Sequence, residues 1–279
     1  MSAGPIGETP DDDGAKRFSA DEVARFRRAV LEDGYVVLEN VVSKEKLSTL
    51  STRMLRAFES AKQSMFSGGG ALSGHLNSSP GEEARFVFDT LEQRGVIALV
   101  RELFPSATRL PNIGCNFNLP GSVAQHYHSD SAFKEAFVIV NIAVVDTDLV
   151  NGAIDLLPGT QKKFYKFWRY ALERAYRRTT RVPMKQGDVL IRVSTLWHRG
   201  MPNKSVTPRP MVAFTWEHGG SNLDDPFQAD DGKIVFKPNW YRPTRLGRLR
   251  ERTFIAAPIS YSAYRFARSL VGNKGFESY

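Results

Sequence analysis

The sequence predicts a mainly β fold, a barrel or sandwich, preceded by helices. Two observations carry this. From about Thr108 onward, short runs rich in β-branched and aromatic residues recur at 113–119, 124–130, 136–146, 153–158, 188–198 and 210–218. Gly and Pro punctuate them at Pro120-Gly121, Asn151-Gly152, Pro158-Gly159 and Gln186-Gly187, as in strands joined by tight turns. Upstream of Thr108 the apolar spacing is mostly helical.

In order, Ser19-Ala-Asp-Glu22 is a capping box, which predicts a helix running to about Glu32. Residues 34–42, GYVVLENVV, predict a strand, and 43–64 return to helical spacing. Residues 67–83 are rich in Gly and Ser and predict a flexible loop holding His75, a position where histidine is usually solvent-exposed. Residues 84–104 predict a further helix, and a basic helix over about 162–178 interrupts the strand series. Residues 1–15 are acidic and Gly/Pro-rich and are expected to be disordered. Residues 16–279 are expected to form one domain: a helical part (16–105), a barrel core (106–220) and a basic C-terminal extension (221–279).

Composition narrows the chemistry. One cysteine, Cys115, excludes an intramolecular disulfide and a cysteine-based zinc site, and points to a reducing compartment such as the cytoplasm. No apolar run is long enough for a transmembrane helix, and the N-terminus lacks the basic and apolar regions of a secretory signal. The net charge of +8 is unevenly spread. Residues 161–185 hold nine Lys or Arg against Glu173, and 233–274 hold ten against Glu251. Such stretches are solvated helix faces or surfaces turned toward an anion: a charged substrate, an anionic membrane or nucleic acid.

Residues 125–130 read QHYHSD, with two of the five histidines beside a carboxylate. In a strand, residues two apart share a face, so His126, His128 and Asp130 are expected on one side. A third ligand must come from elsewhere. His198, at the end of an apolar run and before HRGMP, is the candidate. Two His and one carboxylate leave positions open on an octahedral ion, as in non-haem Fe(II) oxygenases. Catalytic zinc accepts the same set with water as fourth ligand. A cupin-like His-x-His with Glu135 fits less well, because the spacing is too long. Arg209 follows His198 by eleven residues at the start of the next strand. Its guanidinium can pair with the far carboxylate of a 2-oxoacid chelating the metal.

Four motifs in order, from FRRAVLEDGYVVLENVVSKEKL to about Trp216, resemble the phytanoyl-CoA dioxygenase family of Fe(II)/2-oxoglutarate-dependent oxygenases. They are DGYVVLENVVS, QHYHSD, NGAIDLLPGTQ and GDVLIRVSTLWHRGMPNKSVTPRP. The resemblance implies a double-stranded β-helix, or jelly roll, with N-terminal helices packed on it. It implies that His128, Asp130 and His198 bind iron and that Arg209 holds the distal carboxylate of 2-oxoglutarate. It places Asn141 near the co-substrate, Gln125 where it orients a ligand, and His126 behind the ligands or facing substrate. Gln161 stands where the family usually has His. Asp130 is retained, whereas related halogenases carry a small residue there, which favours hydroxylation.

The implied activity couples oxidation of 2-oxoglutarate by O2, giving succinate and CO2, to hydroxylation of an aliphatic C–H. Ascorbate is expected as an accessory reductant. The substrate is expected to be a small, lipid-like or natural-product molecule, anionic or amphiphilic, met by residues 66–82, 162–181 and 219–279. Peripheral membrane contact through the basic C-terminal segment is a further expectation. The alternatives are a nucleic-acid oxygenase or demethylase with the same iron site, disfavoured by the lack of a nucleic-acid-binding motif, and a non-catalytic metal-binding barrel.

Overall fold

The computed structural model describes residues 16–61, 72–236 and 245–271; the expected N-terminal disorder falls outside them. Helix α1 (Ala20–Asp33) begins at the capping box, with the Ser19 hydroxyl accepting from the Glu22 N–H at 3.3 Å and the Glu22 carboxylate accepting from the Ser19 N–H at 2.8 Å. It stops at Gly34, whose φ of 87° is left-handed. Strand β1 (Tyr35–Leu38) and helix α2 (Lys44–Ala61) follow. Helix α2 buries Leu47, Leu50, Met54 and Phe58, one stripe at helical spacing. The expected helix over 84–104 is two, α3 (Arg85–Gln93) and α4 (Val96–Leu103), because Gly95 turns the chain at φ 86°.

Between α2 and α3 the expected loop contains strand β2 (His75–Ser78). His75 is therefore buried in a sheet rather than exposed. The remaining strands are β3 (Asn112–Asn118), β4 (Val138–Ala143), β5 (Ile154–Leu156), β6 (Thr180–Val182), β7 (Val189–Val193), β8 (His198–Arg199) and β9 (Arg209–Thr215). All named pairs are antiparallel, in a six-stranded sheet ordered β1-β7-β4-β9-β3-β2 and a three-stranded sheet ordered β6-β5-β8. Together they make the jelly roll.

The period-2 alternation sorts the large sheet into two faces. Cys115, Phe117, Val138, Val140, Ile142, Val189, Ile191, Val212 and Phe214 join α2, α3 and α4 in the larger core. The intervening positions face the smaller sheet, where Ala143, Leu190 and Met211 meet Leu156 and Val182. That same inner parity carries Asn118, Asn141, Arg192 and Arg209, all buried. Polar side chains on the buried inner face of an otherwise apolar sheet mark the place where ligands are to be sought.

Two expected elements differ. Residues 124–130 form no ladder strand; their backbone bonds go in turn to Gly200, His198 and Ser194. The basic helix is short, α5 (Phe167–Leu172), since Arg174 takes a left-handed φ of 50° and 3-10 turns flank it. The C-terminal extension contains helices α6 (Arg245–Ala256) and α7 (Pro258–Val271), and α7 packs on α5, where the Ser269 hydroxyl accepts from the Trp168 N–H at 2.9 Å.

Phe117 lies fully inside the larger core, with the rings of Phe58 and Phe236 each 5.0 Å away. Phe117→Ala is expected to lower unfolding free energy by about 3–5 kcal/mol in urea titrations. A loss below about 1 kcal/mol would show that the helices do not lean on this sheet face.

Candidate metal centre

The backbones of His128 and His198 exchange hydrogen bonds, each N–H donating to the other's carbonyl at 3.0 Å. This single bridge sets the two rings 4.4 Å apart, centroid to centroid. Two residues on, the Asp130 N–H donates to the Ser194 carbonyl at 2.8 Å, which carries its carboxylate to the same side. His128, Asp130 and His198 thus present three ligand atoms within 4.8 Å of one another. His126 does not join them. Its ring packs at 5.3 Å and 5.2 Å from those of Phe254 and Tyr261, on the C-terminal helices. Its ring still lies beside that of His128, 6.0 Å between centroids, so it neighbours the group without being part of it.

His128 and His198 are each oriented by one ring nitrogen. His128 Nδ1 lies 2.9 Å from the His126 carbonyl, and His198 Nδ1 lies 3.0 Å from the Leu196 carbonyl. A carbonyl only accepts, so both Nδ1 atoms carry the proton and both Nε2 lone pairs are left for a cation. These Nε2 atoms stand 3.5 Å and 3.4 Å from the Asp130 carboxylate. Burial, and then Arg192, push His198 down to about 3, so it is neutral and able to ligate. Burial alone would raise the Asp130 carboxyl; the neighbouring His198, Arg192 and His128 overcome it and hold the group well below the ordinary carboxylate range.

Arg192 is a residue the motif reading missed. From the inner face of β7 its Nη1 donates to Asp130 at 2.7 Å and its Nε to the Asn141 side-chain oxygen at 3.1 Å. It fixes one carboxylate oxygen from behind. A second clamp is formed by the residues just after one ligand and just before the other. The Tyr127 hydroxyl donates to Asp155 at 2.5 Å, and Arg199 donates to the same oxygen through Nε and Nη2 at 3.1 Å and 3.0 Å. The Arg199 guanidinium also lies 4.5 Å from the Tyr127 ring centroid. Asp155, on β5, therefore ties together both histidine-bearing segments. The available signals were a cation and an acid at positions of apolar strands, Arg192 in VLIRV and Asp155 in IDL.

Arg209 opens β9 and is 4% exposed, yet its Nε and Nη1 have no hydrogen-bond partner. Its Nη2 donates to the Gly152 carbonyl at 3.3 Å. A side chain at Gly152 is excluded, since a Cβ there would lie 2.6 Å from the Asn118 amide. Burial lowers the guanidinium to about 10, still cationic at neutral pH. A buried cation with two idle donors is costly to leave without an anion. Asn203 and Ser205 in the MPNKS stretch are structural: the Asn203 amide nitrogen donates to the Asn118 and Thr207 carbonyls, and its oxygen accepts from Ser205, bracing the turn before Arg209. The Gln125 side-chain oxygen accepts from the Gly200 N–H at 2.8 Å. His75 Nε2 lies 2.9 Å from the Val123 carbonyl, leaving Nδ1 as a buried lone pair without a partner beside Gly200. Beside Asp130 opens a cavity of about 240 Å³, lined also by Ser131, Ala132, Glu135, Glu217 and His218.

Two histidine nitrogens, one carboxylate and a cavity beside them are the oxygen- and nitrogen-donor set that suits a non-haem iron with open positions. Residues 30–211 match the family model for phytanoyl-CoA dioxygenase (PhyH), and the chain belongs to that family, whose members are Fe(II)- and 2-oxoglutarate-dependent oxygenases. Solved structures share its fold. One is the epimerase SnoN in complex with Fe3+, alpha ketoglutarate and nogalamycin RO, 19% identical with TM-score 0.54, covering 71% of this chain and 84% of that one. Another is the non-heme alpha ketoglutarate dependent carbocyclase SnoK from nogalamycin biosynthesis, 14% identical with TM-score 0.53, covering 85% and 92%. A third is AviO1 from Streptomyces viridochromogenes Tue57, 16% identical with TM-score 0.52, covering 71% and 96%. Helices α6 and α7 lie beyond the residues the family model matches.

Arg192→Met removes the lasting cation behind Asp130 without touching a ligand atom. Its affinity for Fe(II), or for Mn(II) as a stable surrogate, is expected to fall about 10–100-fold in an anaerobic titration. Unchanged affinity would mean that Asp130 needs no such support.

Proposed function

We propose that the enzyme uses iron held by His128, Asp130 and His198, together with 2-oxoglutarate and O2, to hydroxylate an aliphatic C–H of a small natural-product-like molecule. The observation that carries this is Arg209, a buried guanidinium with two unpartnered N–H groups on the same inner sheet face as Arg192 and Asn141. When bound, the iron and 2-oxoglutarate supply the oxidation, with succinate and CO2 as co-products.

The chain's own residues bind and orient. Arg209 pairs with the distal carboxylate of 2-oxoglutarate through the donors that are otherwise idle. Asn141, whose side-chain oxygen is taken by Arg192, has its amide N–H groups to offer the co-substrate. Gln125 keeps the QHYHSD segment against Gly200 and so sets the height of His128. Gly200 admits this approach because a Cβ there would lie 2.8 Å from both Gln125 and the His75 ring. The retained carboxylate of Asp130 leaves no vacancy for a halide ligand, which supports hydroxylation over halogenation. The cavity beside Asp130 is the space for substrate. With Glu135 and Glu217 on its wall, it suits a neutral or cationic group better than the anionic one that the basic sequence suggests. The solved structures of similar fold include enzymes of nogalamycin biosynthesis, which supports a natural-product substrate class.

Anaerobic addition of 2-oxoglutarate to the Fe(II)-loaded protein is expected to produce the weak visible absorption of the chelate. Arg209→Ala is expected to raise the 2-oxoglutarate concentration needed by about 30-fold or more, the cost of removing one partner of a buried ion pair. Iron binding without that absorption would favour a metal-binding barrel with no co-substrate.

Arg209→Met offers a second check that does not depend on turnover. Replacing an uncompensated buried cation by an apolar side chain is expected to leave the ligand-free protein equally stable or to stabilise it by up to ~4 kcal/mol. It should also abolish the rise in thermal midpoint that 2-oxoglutarate gives the Fe(II)-loaded wild type. A midpoint that still rises in the variant would remove Arg209 from the co-substrate site.

A further inference from the structure

The two basic stretches of the sequence, far apart in the chain, become neighbours in space because α7 packs on α5. The inward side of the C-terminal helices packs on the rest of the protein. Tyr261 meets the His126 ring, the Arg265 guanidinium sits 4.3 Å from the Phe167 ring centroid, and the Glu251 carboxylate accepts from the Ser73 N–H at 3.2 Å. The outward side repeats at helical spacing, with Arg245, Arg248, Leu249, Arg252, Ile255 and Ile259 following one another along α6 and into α7. Leu249 is 60% exposed, Ile259 84% and Leu270 59%. Glu251 is the sole acid between 245 and 271, and it is buried, so every charge on the outward side is positive. On the neighbouring α5 segment Leu172 and Tyr176 are exposed among Arg174 and Arg177.

We propose that this outward face of α6 and α7 docks on an anionic phospholipid bilayer. Leucine and isoleucine side chains standing in water gain by entering the acyl boundary, while arginines beside them reach lipid phosphates with their stems along the apolar layer. Nucleic acid would use the arginines but leave the aliphatic side chains wet. A second copy of the chain would set arginines against arginines. No helix of the described residues is long and apolar enough to cross a membrane, so the contact is peripheral. Through His126, which packs on Phe254 and Tyr261 and precedes His128 by two residues, the docked helices adjoin the metal centre.

The test is flotation of the full chain with vesicles of phosphatidylcholine alone and of phosphatidylcholine with phosphatidylglycerol, alongside a short RNA duplex in a mobility shift. The expected result is recovery with the anionic vesicles only, lost at about 1 M salt, where the screening length is about 3 Å. Arg248→Glu/Arg252→Glu and, separately, Leu249→Ser/Ile259→Ser should each weaken vesicle binding about tenfold or more. Both pairs are solvent-facing, and an unchanged circular-dichroism melt shows that each variant folds. The proposal is overturned by no recovery with anionic vesicles, or by recovery that both variants leave unchanged. It is equally overturned if vesicles and RNA bind alike, with the arginine pair alone mattering. None of these outcomes bears on the iron and 2-oxoglutarate reading, which is checked by absorption in the absence of lipid.

Discussion

The doubly hydrogen-bonded contact between His128 and His198 is the constraint on which the site depends. It joins a segment that belongs to no ladder to the two-residue strand β8, and so brings candidate ligands seventy residues apart to one point. Everything nearby reinforces that contact. The Leu196 and His126 carbonyls turn the rings, and the Tyr127, Asp155 and Arg199 group holds the outer faces of the same two segments. Arg192 then sets the carboxylate between the rings. Locking ligands in place before the metal arrives spares the ordering entropy that binding would otherwise cost.

The site has a polarity that follows from the sheet. Alternation puts the apolar residues of β3, β4, β7 and β9 under helices α2 to α4 and leaves the other face for function. On that face a carboxylate receives a cation, while a second cation, Arg209, is left without an anion. A protein tolerates such an incomplete charge when a ligand completes it, at some expense to the stability of the empty form. The pairing is thus asymmetric: Arg192 has its carboxylate within the protein, and Arg209, in the function proposed above, receives its anion from the co-substrate.

Much of this was legible in the sequence. His128, Asp130, His198 and Arg209 stood out because their types and order are chemically constrained, and the strand runs of the barrel are strongly patterned. Residues 124–130 read as a strand but form none, because their bonds to residues 194–200 are scattered around the single His128–His198 bridge rather than continuous as in a ladder. His75 reads as a loop residue, since the glycines before it hide a four-residue strand at the sheet edge. The single basic helix breaks where Arg174 turns left-handed, and Glu173 just before it binds Tyr165, Arg169 and Arg178. Arg192 could not be assigned from spacing, because its partner Asp130 lies 62 residues away.

The most direct measurement is a crystal structure of the protein grown anaerobically with Mn(II) and 2-oxoglutarate, with anomalous scattering to locate the metal. The account requires one peak bounded by both Nε2 atoms and the Asp130 carboxylate, with the distal carboxylate of 2-oxoglutarate on Nε and Nη1 of Arg209. A metal placed elsewhere, or a 2-oxoglutarate that leaves those two donors of Arg209 unpaired, would contradict it.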